Sequence, residues 1–560
     1  MRKAADKARL FGPRKEALEQ ARNRLMVALF LFACGFIFLG IRTVDLGMIQ
    51  PVAETARADR SIVTVLPGRA DIVDRNGTVL ATNLDTPSLF AVPREVRDVE
   101  EAALKLVSVL PGLSLADVRE RLQSKRGFVW IKRQLTPAQV WKVNALGLPG
   151  LKFQPEERRV YPHGREAAHL LGFVDIDGKG IAGIEHFFDD RLSDPGMAGQ
   201  PLRLSLDLSV QHTLRDELAR AAARHQAVGA AGIVLDVQSG EILAGVSLPD
   251  FDPNQASKAP ADARFNRLTA AVYELGSTFK TFTVAMALET GTVNLSDRFD
   301  ATEPIRIARF RIRDDHPKNR VLTVPEIFVY SSNIGAAKIA RGIGSLRQRE
   351  FLGSLGLLRP ASIEVPEVGL PLYPEHWREI NTMTIAYGHG IAVSPLQQAV
   401  ALAAIINGGL LNPATLVAET EGVRNPGQRV VSEATSEQMR ALMRVVVTMG
   451  TGRQADVPGY RIGGKTGTAE KSGTGGYRRD ALISSFVGVF PIEAPRFLVF
   501  VVLDEPKGTV ETHNFAGGGW VAAPTVGRII ARIAPILGIA PQNWPDGTEF
   551  QQTALLVGKE

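Results

Sequence analysis

The chain has 560 residues, 45% of them hydrophobic and 22% charged, which excludes a disordered polyampholyte and a collagen-like repeat and leaves room for several domains. A single cysteine, Cys34, excludes a disulfide scaffold and any metal site built from cysteines, and the nine histidines show no ligand spacing such as H-E-x-x-H. The net charge of +6 is concentrated in residues 1–24, where eight Lys/Arg face three acids, so the basic excess belongs to a tail and not to a nucleic-acid-binding face.

Leu25 to Ile41 is an uncharged run of 17 residues. At 1.5 Å per residue it spans about 25 Å, the short end for a bilayer helix, and the helix is predicted over 25–44. A signal peptide would carry a shorter apolar run and a small-residue cleavage site; here Arg42, Thr43 and Val44 follow directly, so the reading is an uncleaved anchor. The basic tail then lies in the cytoplasm by the positive-inside rule, and everything after residue 50 lies outside, in the periplasm of an inner-membrane protein. That outer part is cysteine-free, which suits an oxidising compartment.

Past the anchor, Ile62 to Val65 reads as a short strand. Asn76-Gly77 between two apolar runs signals a hairpin, and residues 94–150 read as largely helical, with Thr136 and Pro137 as N-cap and first helical residue. His163, His169 and His186 fit no metal spacing. Near residue 200 the texture changes. A helix over Ser209–His225 precedes a hairpin of Gly232–Val237 and Glu241–Val246 around Gln238-Ser239-Gly240. A helix-rich middle runs from about 265 to 450, and strands return at Tyr460–Thr468, Ala481–Phe490 and Phe497–Leu503. Two strands, a helical insertion and three strands predict an α+β domain with one antiparallel sheet between helices.

Three short motifs fall in this second region. Ser277-Thr278-Phe279-Lys280 opens an apolar helix, so the hydroxyl and the amine three residues on share a face. A serine is a poor nucleophile until a base takes its proton, and a desolvated lysine can be neutral enough to do so. Ser331-Ser332-Asn333 offers a second hydroxyl for proton relay and an amide for a substrate carbonyl, although Ser and Asn equally make ordinary helix caps. Lys465-Thr466-Gly467-Thr468 ends a predicted strand; the lysine suits a substrate carboxylate, the threonine hydroxyls can bond it, and the Thr468 N–H pairs with that of Ser277 as an oxyanion hole. Each motif alone is weak; in this order and in one domain they predict an acyl-serine enzyme.

With these motifs the chain resembles a class B penicillin-binding protein. The resemblance extends to Arg69–Gly77 (RADIVDRNG), Ala168–Phe173, Gly183–Glu185, Tyr387-Gly388-His389-Gly390, Ser394-Pro395-Leu396-Gln397 and Ala522-Ala523-Pro524. Leu275 stands where the family has proline before Gly-Ser, and Ala70 where it has glycine after the arginine. The resemblance implies a transpeptidase domain of the penicillin-binding, serine β-lactamase-like fold. The implied layout is tail 1–24, anchor 25–44, pedestal 52–200, transpeptidase domain 201–540 and tail 541–560. It implies that Ser277 is acylated, Lys280 is its base, Ser331 and Asn333 assist, and Lys465 to Thr468 bind substrate.

The implied reaction cross-links peptidoglycan stem peptides ending in D-Ala-D-Ala, with β-lactams as inhibitors and with no cofactor, metal or nucleic acid. The short region from 52 to 200 points to the division-type, FtsI-like branch, working with an FtsW-like glycosyltransferase and other division proteins. An elongation-type transpeptidase and a D,D-carboxypeptidase stay open. A β-lactamase is disfavoured by the anchor and pedestal, and a β-lactam-sensing receptor by the shortness of the tail. The Gly-rich loop Glu511 to Trp520 has no assigned place.

Overall fold

The computed structural model describes residues 13–44, 68–197, 199–307, 310–419, 427–473 and 476–543. The chain divides into two units, Met1–Pro67 and Gly68–Glu560. The described residues of the first form one helix, Pro13–Val44, whose stretch Arg22–Ile41 has a mean hydropathy of 2.3 and the length to cross a membrane. The strand expected at Ile62–Val65 and most of the tail expected at 541–560 lie outside the described residues.

In the second unit, the Asn76-Gly77 signal corresponds to an antiparallel pair of Ile72–Val73 with Val79–Ala91, with Gly77 at φ +88° in the turn. Val79–Ala91 also pairs with Val129–Lys132 and Leu151–Val160, and Ile72–Val73 runs parallel to Leu202–Arg203. The 94–150 stretch holds helices Val99–Val109, Leu115–Leu122 and Pro137–Ala145. Thr136 caps the last of these through a reciprocal capping box with Gln139. The strand Val129–Lys132 interrupts this largely helical stretch: four residues are too few to show a period against helical neighbours.

From Asp207 onward the helix Leu208–Arg224 begins at the Asp207 cap. A five-stranded sheet follows in the order Gly463–Gly473, Gly476–Phe490, Phe497–Asp504, Gly229–Asp236, Ile242–Leu248, antiparallel throughout. Alternation along the central Phe497–Asp504 strand sends Val499 and Val501 to a layer with Val210, Leu214 and Ile530, from the helices Leu208–Arg224 and Ala522–Ile536. Leu498, Phe500 and Val502 face the opposite core with Phe282, Leu402 and Leu442, from helices Lys280–Glu289, Pro395–Ile406 and Glu433–Thr448. The strand is buried along its whole length because helices cover both faces, which is the α+β layering that the order of elements predicts.

Two strand bounds differ from expectation. Gly463–Gly473 and Gly476–Phe490 extend into one long hairpin in which Lys471–Gly473 pair with Gly476–Arg478 beyond a bulge at Glu470/Lys471. The segment is polar on both faces, so no alternation marks it as strand.

The RADIVDRNG stretch binds the N-terminal part of this unit to the sheet domain. Asp74 accepts the Asn76 and Thr78 N–H groups at 2.8 Å and the Leu208 N–H at 3.2 Å, and the Asn76 amide donates to Asp207 at 3.0 Å. Arg69 donates to Glu185 at 2.7 Å, Arg159 donates to its other oxygen at 2.7 Å, and all three side chains are nearly or wholly buried. Gly183-Ile184-Glu185 and the Arg69 stretch are therefore two halves of one buried ion cluster.

Candidate active site

Ser277 lies in a 3₁₀ turn, Gly276–Phe279, that runs directly into helix Lys280–Glu289. The turn has no room for a side chain at Gly276: its φ is +57°, and a Cβ there would lie 2.4 Å from the Thr468 carbonyl oxygen and 3.2 Å from the Thr468 nitrogen. This close approach sets Ser277 against the Gly463–Gly473 strand, which is an edge of the sheet with its outer side unpaired. Gly388, in the Tyr387–Gly390 stretch, packs equally tightly beneath Gly276, with a Cβ position 2.2 Å from its carbonyl oxygen. Ser394-Pro395-Leu396-Gln397 is a helix start, Ser394 capping and Gln397 completing the box. From the same helix the Gln398 amide donates to Thr278 at 3.1 Å.

Lys280 is fully buried, and its Nζ meets four oxygens: Ser277 Oγ at 2.8 Å, the Ser331 carbonyl at 2.7 Å, Ser331 Oγ at 3.1 Å and Asn333 Oδ1 at 2.6 Å. The Asn333 amide donates to the Arg313 carbonyl at 3.0 Å, which fixes its oxygen toward the lysine. Ser331 takes the left-handed conformation, φ +60°, that turns its carbonyl to the amine. Two of the four partners, a carbonyl and an amide oxygen, can only accept. A neutral amine has two N–H bonds to give them, which leaves its lone pair for a serine O–H. Burial lowers the Lys280 pKa to about 7, against a smaller upward pull from Asp315 and Asp314.

Ser332, between the two inward residues, has the structural role weighed above. It caps helix Asn333–Ile343, accepting the Gly335 N–H at 3.0 Å and donating to Asp314 at 2.8 Å, while Asp314 also accepts the Ile334 N–H. No spacing in the sequence marks Asp314 as the anchor of this corner.

Lys465 differs from the reading of a lysine held out toward a carboxylate. It is completely buried, its Nζ donates to Ser331 Oγ at 3.0 Å, and it lies 5.8 Å from the centre of the Phe328 ring. Its pKa is held well below the ordinary lysine range, first by burial and then by the nearby Lys280. The Thr466 hydroxyl is paired with that of Thr451 at 2.6 Å. The groups that reach the surface of the cleft are Ser277, Ser331, Asn333 and Thr468, each half-buried above the two buried amines. Gly467 is walled in: a Cβ there would lie 2.3 Å from Ser485 Oγ and 2.5 Å from the Leu275 carbonyl.

The structure thus brings the residues of all three motifs into one cleft. It also places the unassigned glycine loop, whose Gly518 N–H donates to Thr468 Oγ1 at 2.9 Å. In that loop Phe515 stacks on Trp520 with ring centres 5.6 Å apart. His169 and His186 bond backbone carbonyls of Ala263 and Gly180, and among the described residues no group of histidines and acids has the arrangement of a metal site. The cleft has what acyl transfer needs: a hydroxyl, a buried amine of lowered basicity, a bridging hydroxyl, and a strand edge for an extended peptide.

Two family profiles match the chain: the penicillin binding protein transpeptidase domain over residues 230–531 and the penicillin-binding protein dimerisation domain over residues 64–199. The chain is 41% identical over 537 residues to the probable peptidoglycan D,D-transpeptidase FtsI of Caulobacter vibrioides, covering 94% of this chain and 91% of that one. It is 31% identical over 557 residues to the peptidoglycan D,D-transpeptidase FtsI of Escherichia coli, covering 92% and 93%. A peptidoglycan synthetase from Bifidobacterium adolescentis shares the fold, with a TM-score of 0.66 at 23% identity over 85% of this chain and 97% of that one. The chain belongs to the penicillin-binding-protein transpeptidase family, and within it resembles the FtsI-type members over nearly its whole length.

Proposed function

We propose that this protein is a serine D,D-transpeptidase that cross-links peptidoglycan stem peptides at the division septum, with Ser277 as nucleophile and Lys280 as its base. One observation carries the assignment: the Lys280 amine lies 2.8 Å from Ser277 Oγ, while its other strong partners, the Ser331 carbonyl and Asn333 Oδ1, can only accept hydrogen bonds. The neutral amine takes the Ser277 proton as Oγ attacks the carbonyl of the penultimate D-alanine. The N–H groups of Ser277 and Thr468 face the developing oxyanion. The C–N bond breaks, a proton passes from Lys280 through Ser331 to the leaving nitrogen, and the terminal D-alanine departs. An amine from a neighbouring stem then attacks the ester, Lys280 takes its proton, and Ser277 is re-formed. A β-lactam follows the first half only, because its leaving nitrogen stays tethered. Thr468 and Ser331 bond the terminal carboxylate, with the buried Lys465 amine bonded to Ser331 from beneath.

The pedestal over 52–200 and the transpeptidase domain over 201–540 are proposed to stand outside the cytoplasmic membrane, held by the helix at 25–44 with the basic tail inside. Similarity to peptidoglycan D,D-transpeptidases named FtsI supports the transpeptidase role; the septal site and a partner of the FtsW-like glycosyltransferase kind belong to the proposal.

The test is intact mass of the full-length protein after benzylpenicillin, followed by tryptic mapping. A single stable adduct is expected on Leu268–Lys280, which contains Ser277 as its only serine. An adduct on another peptide, or none with the drug intact, overturns the assignment. Gly276→Ala is expected to slow this acylation by about a hundredfold, since a shift of about 1 Å at the nucleophile suffices for that. Stopped-flow loss of penicillin fluorescence quenching reads it, and a rate near wild type would mean that the Thr468 contact does not position Ser277.

A further inference from the structure

Gln398 is a buried polar side chain beneath the nucleophile that takes no part in the acyl transfer. It lies on helix Pro395–Ile406 among Leu396, Ala399, Leu402 and Ile405, and it is wholly shielded from solvent. An apolar residue packs at such a place without loss, whereas a buried amide needs partners. Gln398 has one: its Nε2 donates to Thr278 Oγ1 at 3.1 Å. Its Oε1, equally shielded, has no hydrogen-bond partner among the described residues. An amide kept in the core with one end unmatched is costly, and the bond it does make is to the residue next to Ser277.

Three elements meet at Thr278. Its hydroxyl donates to the Leu275 carbonyl at 2.9 Å and accepts the Gln398 amide. Its methyl faces the strand Gly463–Gly473, where a Cβ on Gly467 would lie 3.0 Å from Thr278 Cγ2 and 2.5 Å from the Leu275 carbonyl oxygen. Threonine has three staggered rotamers, and either of the other two would take the hydroxyl from the amide and the methyl from Gly467. On the other side of Ser277, Gly276 meets Thr468 with no room for a Cβ. The nucleophile is thus held through both neighbours, Gly276 against Thr468 and Thr278 between Gly467 and Gln398. The Ser277 and Thr468 N–H groups, which face the oxyanion, belong to the two surfaces joined here. We propose that Gln398 is a positioning residue for the nucleophile: its amide fixes the Thr278 side chain and, through it, the spacing between the Ser277 turn and the strand that carries Thr468. The proposal rests on the transpeptidase reading above.

The test is single-turnover acylation of the full-length protein in detergent by benzylpenicillin over a range of concentrations, which separates binding before acylation (K′) from the acylation step (k2). Gln398→Met keeps the length of the side chain and removes the amide. Its k2 is expected to fall about tenfold, short of the roughly hundredfold loss from a displacement of about 1 Å. Its K′ is expected to stay within about twofold of wild type, and the acid limb of its pH profile in place, because the cleft surface and Lys280 are unaltered. In a Thr278→Val background the same change is expected to add less than about twofold, because the hydroxyl that the amide holds is already gone. A merely structural amide would lower the thermal transition and leave k2 of the folded protein unchanged, and that result overturns the proposal. So does a loss carried by K′, a displaced acid limb, or a tenfold loss that persists beside Thr278→Val. If Gln398→Met does not fold, Thr278→Val and Thr278→Ser read the same contact from its other end: k2 kept in the serine variant and lost in the valine variant supports the proposal, and equal rates overturn it. Labelling of Ser277 at a rate that Gln398→Met leaves unchanged sinks this proposal alone, whereas no labelling of Ser277 in the wild type sinks the transpeptidase reading itself.

Discussion

Lys280→Ala is expected to be acylated by benzylpenicillin about 10³-fold more slowly than the wild type, because the amine in contact with Ser277 Oγ is gone. Lys280→Arg is expected to be nearly as slow, since a guanidinium stays protonated and offers no lone pair. The pH profile carries the same information with its sign. Burial lowers the Lys280 pKa to about 7, and only the unprotonated amine can accept the serine proton. The acylation rate of the wild type should therefore fall about tenfold per pH unit below that value and level off above it. Single-turnover acylation from pH 5 to 9 measures it. A rate in Lys280→Ala within a few-fold of wild type, or a profile flat across pH 7, would remove Lys280 as the base and move attention to Lys465 acting through Ser331.

Glu185→Ala is expected to destabilise the protein by about 3–5 kcal/mol, the usual result of stripping the partner from buried charges. Glu185 is wholly buried and receives Arg69 on one oxygen and Arg159 on the other, each at 2.7 Å, with the Tyr161 hydroxyl at 3.3 Å. Removing the carboxylate leaves two guanidiniums facing each other away from water. Arg69 keeps Asp189 at 2.6 Å, which softens the loss; Arg159 keeps, among the described residues, the neutral oxygens of Asn83 and of the Arg69 backbone. The first thermal transition should fall by on the order of 10 °C. Calorimetry reads it, and an unchanged transition would mean that the cluster adds no stability.

The sheet and the cleft were legible for different reasons. The Gly229–Asp236 and Ile242–Leu248 strands announce themselves by apolar runs around Gln238-Ser239-Gly240, and the helix at Leu208 by the Asp207 cap. Ser277, Lys280, Ser331, Asn333 and Lys465 were legible because their spacing matches chemistry that needs those groups. The orientation of Lys465 was not. Whether a lysine on a strand points to solvent or under a neighbouring hydroxyl depends on Phe328 and Ser331, more than a hundred residues away in sequence. Asp314, Thr451 and Gly518 were invisible for the same reason: each acts through hydrogen bonds to residues fifteen or more positions away and has no local pattern of its own. Tyr387-Gly388-His389-Gly390 was legible as a resemblance but not as a cause; the cause is the close approach of Gly388 to Gly276.

The way the second unit begins has a mechanical consequence. A pull arriving along the chain from residue 68 enters at Arg69, whose guanidinium is tied to Glu185, Asp189, Ser193 and the Gly178 carbonyl. Three residues on, Ile72–Val73 lies between two strands, Val79–Ala91 and Leu202–Arg203, so tension loads its hydrogen bonds in shear, all at once, and not one after another as in unzipping. A load applied there is shared among all these hydrogen bonds together, which resists peeling of Ile72–Val73 from its two neighbours one bond at a time.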